Sequence, residues 1–400
     1  MSTFLRFIVC VLLIACKSNV KNQQGESAEA VVLPPNAVPM IINCGRILVP
    51  FTINDSILAT LLFDTGAASS ISLEKDFALK HAINFDKQSL EKAVDLNTIT
   101  CTRVLSPLTV ALGNVPLEYQ KVFVCNPIIG IGDIDGMIAP NFNVDKRIWE
   151  LNFEHNYFSI IDKDTIPPNS LVFPFSFNDK AGRIILVELP ITLIGQKDTL
   201  VLHFRYILDT GTPMSVAFVR DNPSLQNFIE KQVCVENHFV VDNITVADSV
   251  TINYGRFVIA KNNPPQFIPK DVIGTLGVDF LKYFNVFLDL KNQQLFLQKH
   301  YKPIENFQYS NIGCDLKRNN EKLMVSMVFK ESPAAIAGVQ KGDEIITING
   351  KKTAMMNDDD IIDLYKIKGK SVVRMIINRN GKELSLSFEA YEHPLNFYNH

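Results

Sequence analysis

The sequence predicts a mainly β protein made of two similar lobes joined by a linker, with a smaller third domain at the C-terminal end. Three observations predict it. From about residue 38 to residue 300, Val, Ile, Leu and Phe alternate with polar residues in short runs, broken by turn signals such as Asn54-Asp55, Gly113-Asn114 and Gly195-Gln196. A pattern in the first half returns in the second. An apolar run leads into Asp64-Thr65-Gly66 and another into Asp209-Thr210-Gly211, and each is followed by an apolar segment around a glycine, Gly136 or Gly274. The acids stand 145 residues apart and the glycines 138, and a nearly constant offset between unlike features marks an internal duplication. After Tyr301 the character changes: residues 309–390 hold β-like runs and one helix, Asn357 to Ile367.

Taken in order, the chain opens with a leader. In Met1–Cys16 one Arg precedes an apolar run from Phe7 to Ala15. The run is too short to cross a bilayer, which takes about 20 residues, and it has the layout of a signal peptide over residues 1–15. Its end, Leu13-Ile14-Ala15-Cys16, resembles the bacterial lipobox. That resemblance implies lipidation of Cys16 and a lipid-anchored envelope protein; a plain secretory signal is the alternative. Lys17, not an acid, follows Cys16, and by resemblance to sorting rules this points to the outer membrane, facing the periplasm. Residues 16–37 read as a polar tether. Lobe 1 spans 38–162. Pro167-Pro168 can continue neither a helix nor a central strand, so 163–170 is a linker. Lobe 2 spans 171–302, and 391–400 is a tail.

Composition narrows the function. At 47% hydrophobic and 20% charged, with a net charge of −3, the 400 residues carry no global basic field, so nucleic acid is not an expected partner. There is no CxxC and no His beside a Cys pair, so no metal or other cofactor is expected. Cys101 and Cys125 could bridge in an oxidising compartment. Free, buried thiols are the expectation for most of Cys44, Cys101, Cys125, Cys234 and Cys314.

The paired acids carry the chemistry. Two carboxylates held together cannot both ionise cheaply, so they share a proton and titrate far apart. One then serves as general base on a water while the other, protonated, donates to a substrate carbonyl. A single Asp-Thr-Gly is an ordinary turn. Here both copies follow an apolar strand, Ala59–Phe63 or Tyr206–Leu208, and precede small or hydroxylated residues such as Ser69, Ser70 and Ser215.

Over roughly residues 40–300 this double pattern resembles the aspartic peptidases, and each half resembles a bacterial retropepsin-type domain. The resemblance implies two β-barrel lobes in a pepsin-like bilobal body, paired within one chain around a cleft. It implies Asp64 and Asp209 as the catalytic pair, Thr65 and Thr210 as the residues locking their loops together, and Gly66 and Gly211 beside them. Gly136 and Gly274 would lie in the apolar loops behind, Ala67 would be the retroviral-type choice after its Asp-Thr-Gly, and Thr212 could hydrogen-bond Asp209. Two departures stand out. No Gly lies between Gly66 and Gly113 or between Gly211 and Gly255, so no glycine-rich flap can be picked out. Ala139-Pro140 also stands where the second lobe has Gly277-Val278.

Other acids have plain readings: Asp133 and Asp135 flank a structural turn, Asp279 and Asp289 fit turns or strand edges, and Asp358-Asp359-Asp360 starts a helix. His81, His155, His203 and His238 are given no role.

The stretch 327–352 resembles a PDZ domain of the bacterial-protease type, through Ser332-Pro333-Ala334, Ala337-Gly338, Gly342-Asp343 and Ile348-Asn349-Gly350. Such domains add an extended peptide to an open strand edge and hold its terminal carboxylate on backbone N–H groups. The loop for that is Asn311-Ile312-Gly313-Cys314-Asp315-Leu316, where Asp315 sits awkwardly for a carboxylate. Two readings of the whole chain follow. One is an aspartic endopeptidase with a PDZ domain that selects protein or peptide substrates; the other is a non-catalytic, peptidase-like lipoprotein whose PDZ domain does the binding.

Overall fold

The computed structural model describes residues 33–43, 45–67, 71–94, 97–119, 122–125, 134–140, 147–178, 184–195, 198–212, 215–218, 222–231, 234–235, 238–248, 250–259, 268–301, 312–319, 322–328, 332–356, 360–361, 364 and 371–390. The leader, Cys16 and the rest of the tether up to residue 32, Asn311, Asp133 and the tail lie outside them.

Lobe 1 contributes β1 (Val38–Pro39), β2 (Ile41–Asn43), β3 (Arg46–Ile53), β4 (Ile57–Phe63) and β5 (Ile71–Glu74). Then come α1 (Lys75–Lys80), β6 (Phe85–Val94), β7 (Asn97–Val104), β8 (Val110–Leu112), β9 (Val115–Leu117) and β10 (Val122–Cys125). It ends with β11 (Gly136–Ile138), β12 (Ile148–Asn152) and β13 (Tyr157–Ile161). Lobe 2 repeats the order in fewer pieces: β14 (Leu171–Asn178), β15 (Ile184–Ile194), β16 (Thr199–Leu208), β17 (Val216–Phe218) and α2 (Pro223–Ile229). These are followed by β18 (Cys234–Val235), β19 (His238–Val246), β20 (Val250–Ile259), β21 (Val272–Leu276), α3 (Val278–Leu281), β22 (Phe284–Asp289) and β23 (Gln294–Lys299).

Strand periodicity builds each lobe. β3 turns Ile47, Val49, Phe51 and Ile53 into the core and leaves Pro50 and Thr52 half exposed, the period-two pattern of a strand with one buried face. Asn54 and Asp55 reverse β3 into β4 at φ 48° and 61°, a left-handed conformation that short polar side chains tolerate. In lobe 2, β15, β16, β21, β17, β20 and β19 pair in a closed circuit, because β19 returns to β15 from Asn243 to Val246. That circuit is a barrel. Lobe 1 follows the same path, but the pair matching β19–β20 is split: β7 and β10 pair at one end, β8 and β9 at the other, with β8 on β3.

Between the lobes run six antiparallel strands in the order β1-β13-β12-β22-β23-β14, one end of a 13-stranded sheet that continues through β14 and β15 into lobe 2. β12 meets β22 across the lobe boundary from Ile148↔Asp289 to Leu151↔Val286. One face of this sheet buries Trp149, Leu151, Phe158, Val286 and Leu288 in a core continuous with both lobes. The only Trp of the chain, Trp149, stacks on Phe63 at 5.6 Å between ring centroids and meets Phe158 edge-on. Because Phe63 directly precedes Asp64, this aromatic cluster supports the first acid from below. Trp149→Ala is expected to lower stability by about 3–5 kcal/mol, measured as a denaturant midpoint by circular dichroism. The other face carries a buried polar network, in which Glu150 accepts from Tyr157 Oη at 2.8 Å, Ser159 Oγ at 2.6 Å and Asn152 Nδ2 at 3.1 Å. Burial and the Glu150 carboxylate raise the Tyr157 pKa, so its phenol stays a donor.

The third domain holds β24 (Cys314–Asn319), β25 (Lys322–Val328), α4 (Pro333–Ile336), β26 (Glu344–Ile348), β27 (Lys351–Lys352), β28 (Val372–Arg379) and β29 (Lys382–Glu389). They form one sheet with its own core. Ser332 caps α4 by accepting from Ala335 N–H, with Pro333 at the first position. Asn349 and Gly350 turn at φ 49° and 82°. Asp343, 1% exposed, is held by Arg379 through two bonds of 2.7 and 2.8 Å and accepts Gln340 N–H. Of the expected helix from Asn357 to Ile367, residues 360, 361 and 364 are described, and all three are helical.

Candidate active site

Each acid stands where a buried strand stops. β4 and β11 run parallel, and Ile138 O, at the end of β11, accepts Asp64 N–H at 2.9 Å. In lobe 2, β16 and β21 run parallel, and Leu276 O accepts Asp209 N–H at 3.0 Å. Three residues before each acid, a glycine lies in register: Gly136 opposite Leu61, Gly274 opposite Tyr206. A Cβ on Gly136 would stand 2.3 Å from Ser72 O, and one on Gly274 would stand 2.7 Å from Ala217 O, so only glycine lets these strands approach. Tyr206, fully buried on β16, has its pKa raised by that burial and stays neutral.

The two loops then meet by a reciprocal set of bonds. Thr65 Oγ1 accepts Thr210 N–H at 3.1 Å and donates to Leu208 O at 2.8 Å. Thr210 Oγ1 accepts Thr65 N–H at 3.0 Å and donates to Phe63 O at 2.8 Å. Both threonines are buried, at 0% and 1% exposure. Every donor and acceptor of the two hydroxyls used here comes from the opposite lobe, so the lobes are pinned at the acids themselves. Thr65→Val and Thr210→Val each strand a buried N–H and C=O, and each is expected to lose about 1–3 kcal/mol, read in chemical denaturation.

Within each loop the acid is fixed from its own side: Asp64 Oδ1 accepts Gly66 N–H and Asp209 Oδ1 accepts Gly211 N–H, both at 2.8 Å. Across the interface each glycine faces the other acid. A Cβ on Gly66 would lie 2.5 Å from Asp209 Cγ, and one on Gly211 2.6 Å from Asp64 Cγ. The two carboxyl groups therefore occupy one small space between the lobes, Asp64 nearly buried at 8% exposure and Asp209 half-buried.

Ala67 packs against an apolar cluster with Leu62 and Met137. Thr212 turns back through its N–H to Asp209 O and accepts Val278 N–H on its carbonyl. Two further groups behind the acids were not legible beforehand. Ser215 Oγ donates to Asp279 at 2.8 Å, and Asp279, 4% exposed and in α3, is ion-paired with Lys282 just after that short helix. Asp279 is thus a buried support of the second loop, whereas the sequence suggested a turn or strand edge. In lobe 1, Tyr119 Oη donates to Ala139 O at 2.7 Å, next to the carbonyl that holds Asp64. Asp289 fits its expected turn, accepting Asn292 N–H, and Asp135 accepts Thr60 N–H at 2.8 Å, a structural role.

The pair of cysteines named above as able to bridge does so. Cys101 and Cys125, opposed in the β7–β10 register, form a disulfide, because strand pairing brings their Cα atoms to 4.2 Å. Cys314 is buried and outside any disulfide, as expected for most of the set. Among the described residues no group of three or more His, Cys, Asp or Glu could hold a metal ion.

In the C-terminal domain, Ile312 and Cys314 are buried in the core, so of the expected peptide loop they offer only backbone. Gly313 is pinned by Ser332 Oγ on its carbonyl at 2.9 Å. Leu316 lies on β24, which pairs with β25 with a bulge at Asp315/Leu316 and leaves its other edge without a strand partner among the described residues.

Residues 324–379 match the family model of the PDZ domain. Curated relatives share only a stretch of domain length. One is the carboxy-terminal processing protease CtpB of Bacillus subtilis (strain 168), 35% identical over 101 residues, covering 24% of this chain and 21% of that protein. CtpA of the same organism is 30% identical over 73 residues, 18% of this chain and 16% of that one. A probable CtpA-like serine protease of Staphylococcus haemolyticus (strain JCSC1435) is 25% identical over 81 residues, 20% and 16%. The chain thus spans between 16% and 21% of the length of these relatives. Among solved structures, the aspartic proteinase from Irpex lacteus is similar at a TM-score of 0.47 and 13% identity, over 66% of this chain and 96% of that one. The chain joins a mainly β body of two lobes, closed on a pair of Asp-Thr-Gly loops, to a C-terminal PDZ domain.

Proposed function

We propose that this chain is an aspartic endopeptidase in which Asp64 and Asp209 activate a water between them. The observation that carries the reading is the reciprocal threonine bonding, which brings two acids from different lobes into one space and leaves both carboxyl groups facing each other's glycine. Two carboxyl groups so placed share one proton. The ionised one takes a proton from the water, whose oxygen attacks the peptide carbonyl, while the protonated one donates to the carbonyl oxygen. Collapse of the tetrahedral intermediate returns a proton to the leaving amine. No side-chain nucleophile and no metal enter. The serine protease among the relatives matches over a stretch of domain length, and the acids here belong to the separate two-lobed body.

The same proposal makes the PDZ domain a site for substrate or partner peptides, with the open edge of β24 in support. It places the protein in the bacterial envelope, lipid-anchored through Cys16 and facing the periplasm. The leader sequence and the Cys101–Cys125 bridge support an exported chain. The test is incubation of an unfolded protein with the full chain from pH 3 to 7, with cut sites mapped by mass spectrometry. Internal cuts are expected. An intact substrate at every pH would overturn the reading in favour of a binding lipoprotein.

A further inference from the structure

The loop that carries Asp209 is laced to the start of α3. Asp209 N–H donates to Leu276 O at 3.0 Å, Val278 N–H to Thr212 O at 2.9 Å and Gly277 N–H to Ser215 O at 3.1 Å. The fourth tie is made by side chains, where Ser215 Oγ donates to Asp279 Oδ2 at 2.8 Å. Asp279 is held in turn by Lys282, whose ammonium pairs with Oδ1, the oxygen that Ser215 leaves. All three residues are buried. The backbone of Lys282 is fixed as well: its N–H donates to Val278 O at 2.8 Å, and its carbonyl meets Nε2 of the buried His300 at 2.8 Å. With one oxygen on each partner, the Asp279 carboxylate cannot turn without leaving a buried ammonium or hydroxyl alone, and an uncompensated buried charge is strongly destabilising.

Lobe 1 cannot copy this lacing. Aligned on the Asp-Thr-Gly and on the later glycine, Thr212 falls on Ala67, Val278 on Pro140, Asp279 on Asn141 and Lys282 on Val144. The first tie is kept, since Asp64 N–H reaches Ile138 O at 2.9 Å. The second is lost, because Pro140 has no N–H to offer Ala67 O. Asn141 and Val144, which lie outside the described residues, carry no charge to pair. A buried ion pair is a poor stabiliser, since apolar residues of the same volume often do as well. One kept behind a single acid, on the helix that laces that acid's loop, therefore points to placement rather than to stability.

We propose that Lys282, Asp279 and Ser215 are positioning residues of the candidate site: Lys282 orients Asp279, Asp279 holds Ser215, and Ser215 sets the loop that presents Asp209, a tie that lobe 1 does without. This rests on the peptidase reading for the effect on cleavage, and on packing alone for how the loop is held.

The test compares the wild-type full chain with three variants. Lys282→Met keeps a long side chain without its charge, and Ser215→Ala removes the hydroxyl. Asp279→Asn/Lys282→Met removes both charges and keeps an oxygen for Ser215. With an unfolded-protein substrate, each is expected to lower kcat about tenfold while KM stays within about twofold, because the acid shifts and the peptide's contacts do not. Hydrogen exchange is expected to quicken at 209–212 and to stay unchanged at 47–53, on β3 of lobe 1. The double variant decides between placement and stability, since it leaves no buried charge unpaired. Its melting temperature is expected to recover from that of Lys282→Met towards the wild type while kcat stays low. Recovery of kcat together with melting temperature would overturn the proposal. So would unchanged exchange at 209–212, an unchanged kcat in every variant, or quickened exchange at 47–53, which is general loosening. If no variant folds, the cluster is a requirement of the fold and the proposal falls. A wild type that cuts nothing counts against the peptidase reading alone, because the exchange result still decides how the loop is held.

Discussion

Asp64→Asn and Asp209→Asn are each expected to lower cleavage of an unfolded protein by about 10³-fold or more while leaving the fold intact. The amide is nearly the size of the carboxyl group, and its oxygen can still accept the Gly66 or Gly211 N–H that now holds Oδ1. What it cannot do is ionise, so a pair with one Asn has lost either its base or its shared proton. The two substitutions should be equally damaging, because the proton belongs to the pair. Since both loops come from one chain and are pinned by four Thr-mediated bonds, a mixture of the two variants should stay inactive. Activity recovered on mixing would mean that lobes pair between chains.

Gly66→Ala and Gly211→Ala are expected to be nearly as harmful, by about 10²-fold or more in kcat/KM. Each new methyl would stand 2.5 to 2.6 Å from the Cγ of the acid in the other lobe, closer than side-chain atoms pack. The neighbour that must yield is a carboxyl group already fixed from its own side. Thus Gly66→Ala should disturb Asp209, and Gly211→Ala should disturb Asp64. Stability should fall far less than activity, by about 1–3 kcal/mol, the usual penalty of overpacking. Circular dichroism melts beside kcat/KM would separate the two effects. A variant of normal activity would mean that the carboxyl groups tolerate displacement and that their present placement does not matter.

Much of this site was legible in the sequence because it is made of local features repeated. A strand ending in Asp-Thr-Gly and a later apolar-Gly segment each leave a short signature, and duplication doubles it. Gly136 and Gly274 could be singled out because close strand approach demands glycine at both. What was not legible depends on register or on packing across elements. The sequence names Cys101 and Cys125 as a pair that could bridge, but the β7–β10 pairing that sets them opposite each other is not in their spacing. Asp279 looks like any turn acid until Ser215 and Lys282 close on it. In the PDZ domain the burial of Ile312 and Cys314 was not readable, because alternation near a strand start does not say which face a core will claim.

Hydrolysis through the paired acids and a water has its own inhibitor signature. Titration of wild-type cleavage with pepstatin, in the presence of a fluorophosphonate that labels active-site serines, tests it most directly. Complete inhibition at one pepstatin per chain is expected, with no fluorophosphonate adduct by intact mass. Cleavage that ignores pepstatin but stops as a serine adduct forms would contradict it.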